Sequence, residues 1–377
     1  MKDLTVIRDE IDGIDRQILS LYEERLKLAD EVADYKIANH KNVFDKEREQ
    51  QKLQVLSSLA STDFAKQGIV ELFEQIMSTS RKKQYGKLAE HGLIARMDYQ
   101  FVEQYDFTNK RIVFQGVEGA YSQAAMKQFF GNISNNYHVN TWREAMEAIK
   151  CHEADYAVLP IENSSAGVVA ENYDLLMEYD VSIIGEQIIK IDHALLGVRG
   201  ASIEDITDVY SHPQALMQCG GYLENQHPQF EKHSMTNTAM SAQKIKEDAR
   251  KNQAAIAGKI NASIYDLEIL EEAIQDNKSN ETRFIIVSGE KTYLSSASKI
   301  SLCFELPHQT GSLYHILSHF IFNGLNMTKI ESRPLKGKNW EYRFFIDIEG
   351  NLREEAVLNA LRGLKEETID MKILGNY

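Results

Sequence analysis

The residues that could do chemistry begin with cations placed on an apolar helical stripe. In the stretch LYEERLKLADEVADYK (residues 21–36), Arg25 follows Leu21 by four residues and precedes Leu28 by three, so all three share one helix face. Lys36 lies 11 residues after Arg25, which is only about 20° away around a helix with 3.6 residues per turn. Because a buried cation needs a compensating anion, the stripe indicates internal ion pairs or an anion-binding pocket.

A later helix is interrupted in a similar way. Ile69, Phe73 and Met77 set up an apolar face at helical spacing, and Ser80 and Gln84 continue that face with polar side chains. Polar residues on a core-facing stripe predict a polar pocket between helices.

Two interpretations of these polar residues stay open. The first is a set of ion pairs, such as Arg25 with Glu49, or cations whose stems run along the helix edge. The second is a pocket in which Arg25, Lys36 and Arg48 outnumber the one obvious carboxylate, Glu49. A small dianionic ligand would then complete the charge balance.

Helix length adds a constraint on this pocket. Arg25 and Lys36 are about 16 Å apart along the axis at 1.5 Å per residue, so two long side chains could close on one small ligand. Arg8 is about 25 Å from Arg25 by the same rise, which is too far within one chain. In an antiparallel dimer centred near residue 19, Arg8 of a second chain would arrive beside residue 30.

Three helices must position these residues. Apolar steps of three and four residues predict one helix of about 30 residues that reaches about Tyr35. A second helix is predicted to start near Asp45, a favourable N-cap residue, and a third to cover about 65–84. A core of about 85 residues is thin for a monomer, which favours a dimer. Residues 86–110 show no clear period and are predicted to be a connector.

Residues 111–290 alternate strand and helix patterns, which predicts a two-lobed α/β domain. The predicted strands are RIVFQ, ADYAVLPIE, VSIIGEQ, ITDVYS, QAAIAG and TRFIIVSG, and the predicted helices include SQAAMKQFF, REAMEAIK and TAMSAQKIKED. Residues 299–377 have the order strand, helix, strand, strand, helix, strand, which predicts a ferredoxin-like α+β fold.

Four loops of the α/β block carry polar groups at strand ends. They are GVEGAYSQAA (116–125), ADYAVLPIENSSAG (154–167), VYSHPQALMQC (209–219) and NETRF (280–284). Each alone could be a helix cap or a turn, and the first lacks the third glycine of a dinucleotide fingerprint. Together they place hydroxyls and helix N-termini at strand ends, where α/β folds bind anions.

Composition excludes several classes of function. The net charge is −14 and no segment forms a basic tract, which argues against nucleic-acid or anionic-membrane partners. No apolar run is long enough for a signal core or a membrane span. Cys151, Cys219 and Cys303 show no metal-binding or disulfide spacing. These observations predict a soluble, cytoplasmic protein without a metal site.

The polar set of the helical block resembles the all-helical chorismate mutase family, in which long helices intertwine as a dimer. The positions that carry the resemblance are Arg8, Arg25, Lys36, Asp45, Arg48, Glu49, Ser80 and Gln84. The resemblance implies the pericyclic rearrangement of chorismate to prephenate. It also implies that Arg8 (from the partner) and Arg25 hold carboxylates with help from Arg48. Lys36 and Gln84 would face the ether oxygen, Glu49 would take the substrate hydroxyl, and Asp45 and Ser80 would orient.

The α/β block is similar to the prephenate dehydratase family, most specifically in PIENSSAG, SHPQALMQC and TRF. The resemblance implies loss of carbon dioxide and water from prephenate, without any cofactor, to give phenylpyruvate. Thr282 matches the family's catalytic threonine, and Arg283 is its neighbour in sequence. The residues implied to line the pocket are Glu162, Asn163, Ser164, Ser211, Gln218, Arg283 and Phe284. The first loop departs from the family at Ala120, so it is left out of this set.

The C-terminal block resembles the ACT family of amino-acid sensors. The markers are Gly311-Ser312-Leu313 and Glu331-Ser332-Arg333-Pro334, with Ser312 in place of the family's usual alanine. The resemblance implies feedback inhibition by phenylalanine; the alternative is a dimerisation domain without a ligand.

The order of the three blocks, predicted as 1–90, 111–290 and 299–377, is similar to that of the bifunctional chorismate mutase/prephenate dehydratase family of phenylalanine biosynthesis. The resemblance implies an allosteric enzyme with chorismate and prephenate as substrates and no cofactor, as a homodimer or dimer of dimers. The alternatives are a solute-binding protein and an enzyme with one inactive site.

Overall fold

The computed structural model describes residues 2–91, 98–309, 311–335, 337–338 and 340–377. The chain divides into two compact units. One unit combines the chain up to Asp98 with Leu302–Lys372, and the other combines Tyr99–Ser301 with Ile373–Tyr377. Residues 92–97 of the predicted connector, and 310, 336 and 339 of the predicted C-terminal block, lie outside the described residues.

The first unit begins with three helices, as the apolar periodicity predicts. They are α1 (Leu4–Ala38), α2 (Lys46–Leu59) and α3 (Asp63–Glu90). The predicted N-cap is confirmed, because the Asp45 side chain accepts a hydrogen bond of 3.0 Å from the backbone N–H of Arg48. The helix α3 continues to Glu90, so the first residues of the predicted connector are helical.

The face of α1 that packs against α3 within the chain carries small residues. The buried residues of α1 are Ala29 and Ala33, whose small side chains allow close approach to α3. The larger apolar residues of the stripe are exposed: Leu21 is 65 % exposed and Ile18 is 53 % exposed. The members of this exposed stripe are Leu4, Ile7, Ile11, Ile14, Ile18, Leu21, Leu28, Val32 and Tyr35. An apolar surface of this size is typical of an interaction site.

The second unit is an α/β structure, as predicted, with two main sheets. Its strands are β1 (Gln100–Val102), β2 (Ile112–Gln115), β3 (Asn136–Val139), β4 (Tyr156–Asn163), β5 (Gly167–Val168), β6 (Ser182–Lys190), β7 (His193–Gly197), β8 (Asp208–Ser211), β9 (Glu231–Ser234), β10 (Gln253–Gly258), β11 (Glu268–Glu271), β12 (Glu281–Ser288) and β13 (Thr292–Leu294). Its helices are α4 (Tyr121–Phe130), α5 (Trp142–Lys150), α6 (Ala170–Glu178), α7 (Pro213–Gln218), α8 (Thr238–Asp248) and α9 (Ile260–Ile264), with a 3₁₀ turn at Ile203–Asp205 and a π turn at Tyr222–Gln226.

Each sheet is the centre of one lobe. In the first lobe the strand order is β6-β12-β4-β2-β3, with β12 antiparallel to both of its neighbours and β2 parallel to β3 and β4. In the second lobe the order is β11-β7-β10-β8-β9. The central strands β4, β7, β10 and β12 are rich in Val, Ile, Leu and Ala and are largely buried on both faces, which explains their continuous apolar runs. The short pair β1 and β13 is parallel.

The chain passes between the two lobes twice. The first crossing joins β6 to β7 and the second joins β11 to β12. The two crossings are tied to each other, since the backbone N–H of His193 donates to Gln275 Oε1 over 3.0 Å and Gln275 Nε2 donates to Asp192 Oδ1 over 2.9 Å. The lobes are therefore linked by a narrow pair of segments.

The remaining elements are β14 (Lys299–Glu305), α10 (Ser312–Phe322), β15 (Met327–Pro334), β16 (Tyr342–Glu349), α11 (Glu355–Glu367) and β17 (Asp370–Asn376). They follow the strand and helix order that the sequence predicts, and the strand order is β15-β16-β14-β17. The helices α10 and α11 pack together where Gly363 leaves room for the ring of His319. Within the described ranges, no helix is both long and apolar enough to span a membrane.

Candidate active sites

The first candidate site lies between α1 and α3. Arg25 Nη1 donates a hydrogen bond of 2.5 Å to Ser80 Oγ, and Ser80 in turn donates to the carbonyl of Ile76 over 2.8 Å. One turn further on, Gln84 faces the same direction from α3. The structure therefore brings together three of the polar residues that interrupt the two apolar stripes.

The cations of this site donate hydrogen bonds to uncharged groups. Among the described residues, neither Arg25 nor Lys36 forms an ion pair; Lys36 Nζ instead donates to the carbonyl of Val43 over 2.5 Å. Burial lowers the pKa of both groups, against the weaker opposite effect of carboxylates such as Glu49. A half-buried cation without a counter-ion is stabilised by a bound anion, which favours the pocket interpretation.

Gln84 supplies a further sign of a missing ligand. Its side chain is 7 % exposed, and its Oε1 is buried without a hydrogen-bond partner among the described residues. A buried amide oxygen without a partner costs free energy, and a ligand with a donor group would remove that cost.

Glu49 is held by a residue that the sequence pattern does not indicate. Its carboxylate pairs with Arg81 on α3 rather than with Arg25, so the proposed Arg25–Glu49 ion pair is wrong. Arg81 is 8 % exposed and continues the buried line of Met77 and Tyr85 on α3. This helical spacing was the only signal in the sequence, and the run RKK at residues 81–83 obscures it.

The other residues of the predicted set lie at the margin or away from this pocket. Asp45 caps α2 and Arg48 is exposed in the first turn of that helix. Arg8 is exposed in α1, about 25 Å along the helix axis from Arg25 at 1.5 Å per residue. One chain therefore does not bring Arg8 to the pocket.

The second candidate site lies at the end of β4 and the start of β12. Asn163 Nδ2 donates to Thr282 Oγ1 over 2.9 Å and to Asn280 Oδ1 over 2.8 Å. The orientation of this amide is fixed, because Asn163 Oδ1 accepts the backbone N–H groups of Ser165 and Ala166 over 3.0 and 2.9 Å. The amide N–H groups must then point toward Thr282.

Ser164 closes this network from the loop that follows β4. Its hydroxyl accepts the backbone N–H of Glu281 over 2.9 Å, and it lies 3.4 Å from Asn280 Oδ1. Asn280 is buried and shared by Asn163 and Ser164. It begins the NETRF loop, although it is not among the predicted pocket residues.

Arg283 is not the polarising neighbour of Thr282 that its sequence position suggests. Its Nε donates to Glu186 over 2.6 Å and its Nη2 to the hydroxyl of Tyr377 over 2.8 Å. Successive residues of a strand point to opposite faces, so Arg283 and its strand partner Glu162 alternate with Thr282 and Asn163. The next residue, Phe284, is 3 % exposed in the hydrophobic core of the first lobe. The assignment of Phe284 to the pocket lining stays a prediction.

Ser211 and Gln218 belong to the second lobe. Ser211 is fully buried, and its hydroxyl donates to the carbonyl of Ile256 over 2.6 Å. This hydrogen bond joins β8 to β10, so the hydroxyl has a structural role. Gln218 Oε1 lies 3.1 Å from His193 Nε2, and His193 Nδ1 lies 3.2 Å from the Tyr121 hydroxyl of the first lobe. Burial lowers the pKa of His193, so its ring is neutral at pH 7. His193 and Tyr121 join the lobes, and sequence reasoning missed both.

The glycine loop after β2 is held by protein rather than shaped for a phosphate. Gly119 has φ +86°, and its carbonyl accepts a hydrogen bond of 3.1 Å from Asn261 Nδ2 in the second lobe. A Cβ at this position would collide with the Asn261 side chain, so glycine is required there.

The predicted effector residues lie at the start of α10 and the end of β15. Gly311 has φ +84° and precedes α10, so Ser312 and Leu313 form the first turn of that helix. The run Glu331-Ser332-Arg333-Pro334 ends β15, an edge strand paired with β16, and its Ser332 and Pro334 are exposed.

Comparisons with known proteins identify two families in this chain. The family model described as "Chorismate mutase type II" matches residues 7–85, and the model described as "Prephenate dehydratase" matches residues 112–292. The bifunctional chorismate mutase/prephenate dehydratase of Aquifex aeolicus is 34 % identical over 100 % of this chain and 98 % of its own length. The Escherichia coli protein of the same description is 31 % identical over 99 % and 96 %.

A solved structure gives the same family at the level of fold. The prephenate dehydratase of Arthrobacter aurescens, in complex with L-Phe, is 31 % identical with a TM-score of 0.65. The similarity covers 71 % of this chain and 89 % of that chain.

Proposed function

The chain belongs to the family of bifunctional chorismate mutase/prephenate dehydratases, and on this premise we propose how its side chains divide the two reactions. The protein is both a chorismate mutase and a prephenate dehydratase of phenylalanine biosynthesis. We assign the mutase to residues 1–90, the dehydratase to residues 111–290 and regulation to residues 299–377.

The observation that carries the mutase assignment is the uncompensated polar pocket between α1 and α3. Chorismate is a dianion with an ether bond that breaks as a carbon–carbon bond forms. Arg25 holds a carboxylate, with Ser80 as its support, while Lys36 and Gln84 stabilise charge at the ether oxygen. The pericyclic step needs no covalent intermediate, so holding the compact conformer and stabilising separated charge account for catalysis.

Gln84 adds a condition to this mechanism. Its Oε1 has no hydrogen-bond partner among the described residues, so exchanging the positions of the amide oxygen and the amide nitrogen would break no hydrogen bond of that oxygen. Facing the ether oxygen requires the N–H orientation. Glu49 accepts the substrate hydroxyl, Arg48 assists at a carboxylate, and Asp45 holds the start of α2.

We further propose that the mutase works as a homodimer, alone or within a dimer of dimers. The exposed stripe of α1 supports this, because an apolar face of such length needs a cover and a second copy of α1 is complementary to it. An antiparallel pair would bring Arg8 of the partner between Arg25 and Lys36, where it would hold the second carboxylate of the substrate.

For the dehydratase, the observation that carries the assignment is the hydrogen bond from Asn163 to Thr282. The Thr282 oxygen accepts this N–H, which withdraws electron density and makes the Thr282 O–H a better donor. Thr282 then donates its proton to the ring hydroxyl of prephenate, which leaves as water while the carbon–carboxylate bond breaks and its electrons form the aromatic ring. Solvent returns the proton to Thr282.

The rest of the predicted dehydratase set takes supporting places. Ser164 and Gln218 border the region between the lobes, Ser211 fixes the turn before α7, and Glu162 and Arg283 act from the opposite strand face. The substrate's carboxylates would meet the helix N-termini that begin at these strand ends.

One preparation of the protein tests both assignments. Purified enzyme is supplied with chorismate, and prephenate and phenylpyruvate are followed separately. We expect Thr282→Ala to accumulate prephenate without phenylpyruvate. A folded Thr282→Ala variant with wild-type dehydratase turnover would overturn the assignment of Thr282.

We propose that residues 299–377 form an ACT domain that binds phenylalanine through Gly311, Ser312 and Leu313 and the run Glu331–Pro334. The strand order of this block and the L-Phe in the Arthrobacter aurescens relative support the proposal. Binding inhibits only if phenylalanine prefers one state of the enzyme. The test is the initial dehydratase rate in millimolar L-Phe, with D-Phe as control; equal rates in both would contradict it. Since its substrates and effector are metabolites, we place the enzyme in the cytoplasm.

A further inference from the structure

We propose that Arg81 is the positioning residue for Glu49 in the mutase site, and that Glu367 of the C-terminal block holds Arg81 in place. The mutase is thereby completed by a carboxylate that lies 286 residues later in the chain. This inference rests on the role proposed above for Glu49.

The contacts of Arg81 support this assignment. One guanidinium nitrogen, Nη1, pairs with Glu49 on α2, and the other, Nη2, lies 3.0 Å from Glu367 Oε1 on α11. The guanidinium carbon lies 4.8 Å from the centroid of the Phe44 ring, in the loop before α2. Three separate elements therefore fix one buried guanidinium, and its fork leaves little freedom for Glu49.

The place of Arg81 on α3 gives it access to the mutase site. Ser80 and Gln84 face Arg25 from α3, while Arg81 is turned about 100° from Ser80 toward α2. The charge of Arg81 is also close enough to contribute to lowering the pKa of Lys36, although burial is the main cause. A shift of Arg81 would thus be felt at Glu49 and at Lys36.

Glu367 is itself held by the C-terminal block. His319 Nε2 on α10 lies 3.1 Å from Glu367 Oε1, and burial of Glu367 is outweighed by His319 and Arg81, so the pKa of this carboxyl is lowered. Glu367 is therefore ionised at neutral pH. The two carboxylates of Glu367 and Glu49 then both pair with the guanidinium of Arg81.

A cavity of about 280 Å³ lies beside this cluster. Its lining includes Glu49 and Arg81 from the helical part and Ser312 and Glu367 from the C-terminal block. Glu49 of the mutase site and Ser312, the first residue of α10, therefore line the same cavity.

The test compares mutase kinetics of full-length variants. We expect Glu367→Gln and Arg81→Met to raise the KM for chorismate about ten-fold or more, because a freed Glu49 no longer meets the substrate hydroxyl in a fixed position. Arg81→Lys keeps the positive charge but loses the planar fork of the guanidinium. Its KM for chorismate should lie between that of the wild type and that of Arg81→Met. A merely structural role would lower the fraction of active enzyme, and hence the apparent kcat, without moving the KM.

Lys82→Met is the matched control. Lys82 Nζ donates to the carbonyl of Phe322 over 2.8 Å, so it joins α3 to the same block without touching Glu49. Its KM for chorismate should stay at the wild-type value. Helix content by circular dichroism and the thermal unfolding midpoint of each variant report whether the unit that contains Arg81 and Glu367 is folded. Dehydratase turnover reports only that the other compact unit is intact.

Two results would overturn the proposal: a wild-type KM in folded Glu367→Gln and Arg81→Met, or an equal rise in Lys82→Met. Glu49→Gln separates this failure from that of the mutase assignment. If Glu49→Gln itself keeps a wild-type KM, the proposed role of Glu49 fails; if it raises the KM while the Arg81 and Glu367 variants do not, only the positioning role fails.

Discussion

Asn163 donates a hydrogen bond from its side-chain amide to the hydroxyl oxygen of Thr282, across 2.9 Å between two antiparallel strands. The amide cannot turn around, because its oxygen already caps two backbone N–H groups of the following loop. This fixed donor determines which way the Thr282 proton points.

Asn163→Asp should therefore lower dehydratase turnover while keeping the two hydrogen bonds that the side chain accepts from the following loop. An aspartate keeps the oxygen that accepts from Ser165 and Ala166, but it offers no N–H to Thr282 and competes for its proton. We expect kcat for prephenate to fall about ten-fold or more, because a neutral hydrogen bond is lost and the new carboxylate also accepts the Thr282 proton. The measurement is phenylpyruvate formation at saturating prephenate. Mutase turnover in the same sample serves as the control, and an unchanged kcat would contradict the proposed role of Asn163.

Gln84→Leu should remove most mutase activity and spare the dehydratase. The substitution takes away the amide that faces the ether oxygen and leaves an apolar group of similar size, so the fold loses no partner of Gln84. We expect a fall in kcat of about 10²–10³-fold, as for the loss of one donor at a developing negative charge. Chorismate consumption measures the change. Mutase turnover within two-fold of wild type would place Gln84 outside the site.

Mixed dimers test whether Arg8 acts on the partner. Arg8→Ala and Arg25→Ala homodimers should each be nearly inactive as mutases. In a dimer with one chain of each kind, one site keeps both arginines and the other has neither. Random exchange of chains in a two-fold symmetric dimer should thus restore about one quarter of wild-type activity. No recovery, with exchange verified by mass labelling of the two chains, would mean that both arginines serve the same chain's site or none.

The alkaline limb of mutase activity should depend on Lys36. Burial lowers the pKa of Lys36 below the ordinary value for lysine, so the protonated form that binds an anion is lost earlier as the pH rises. The kcat/KM for chorismate should fall on the alkaline side before free lysine titrates, and the kcat limb should lie at higher pH because bound substrate stabilises the charge. Lys36→Arg should move the kcat/KM limb upward. A limb that stays in place in Lys36→Arg would assign it to another group.

Part of this arrangement can be predicted from the sequence because it breaks a pattern. Arg25, Ser80 and Gln84 stand out since an apolar stripe has no local use for them, and the helix rise alone separates Arg8 from Arg25. The structure adds which face of α1 packs within the chain: alanines face α3, and the larger apolar residues are exposed. Periodicity indicates that one face of a helix is apolar. It does not indicate whether that face packs against the same chain or against a second chain.

Contacts between distant segments leave no such trace. Arg81 follows the buried line of Met77, yet its run with Lys82 and Lys83 resembles a solvated face, and its partner Glu367 lies in another block. Asn280 and His193 are likewise ordinary residues until the two crossings bring them beside Asn163 and Gln218. Their roles depend on tertiary geometry that spacing along one element does not encode.

The two crossings between the lobes have a consequence for the timing of turnover. Thr282 is the second residue of β12, directly after the second crossing, and Asn280 lies on the crossing itself. Any closure of the lobes around a ligand must rotate backbone torsions in these segments, so the proton donor is anchored at the hinge. Lobe closure, proton transfer and the escape of carbon dioxide and phenylpyruvate would then all depend on the backbone torsions of the two crossing segments. A more rigid crossing segment would slow product release together with the chemical step.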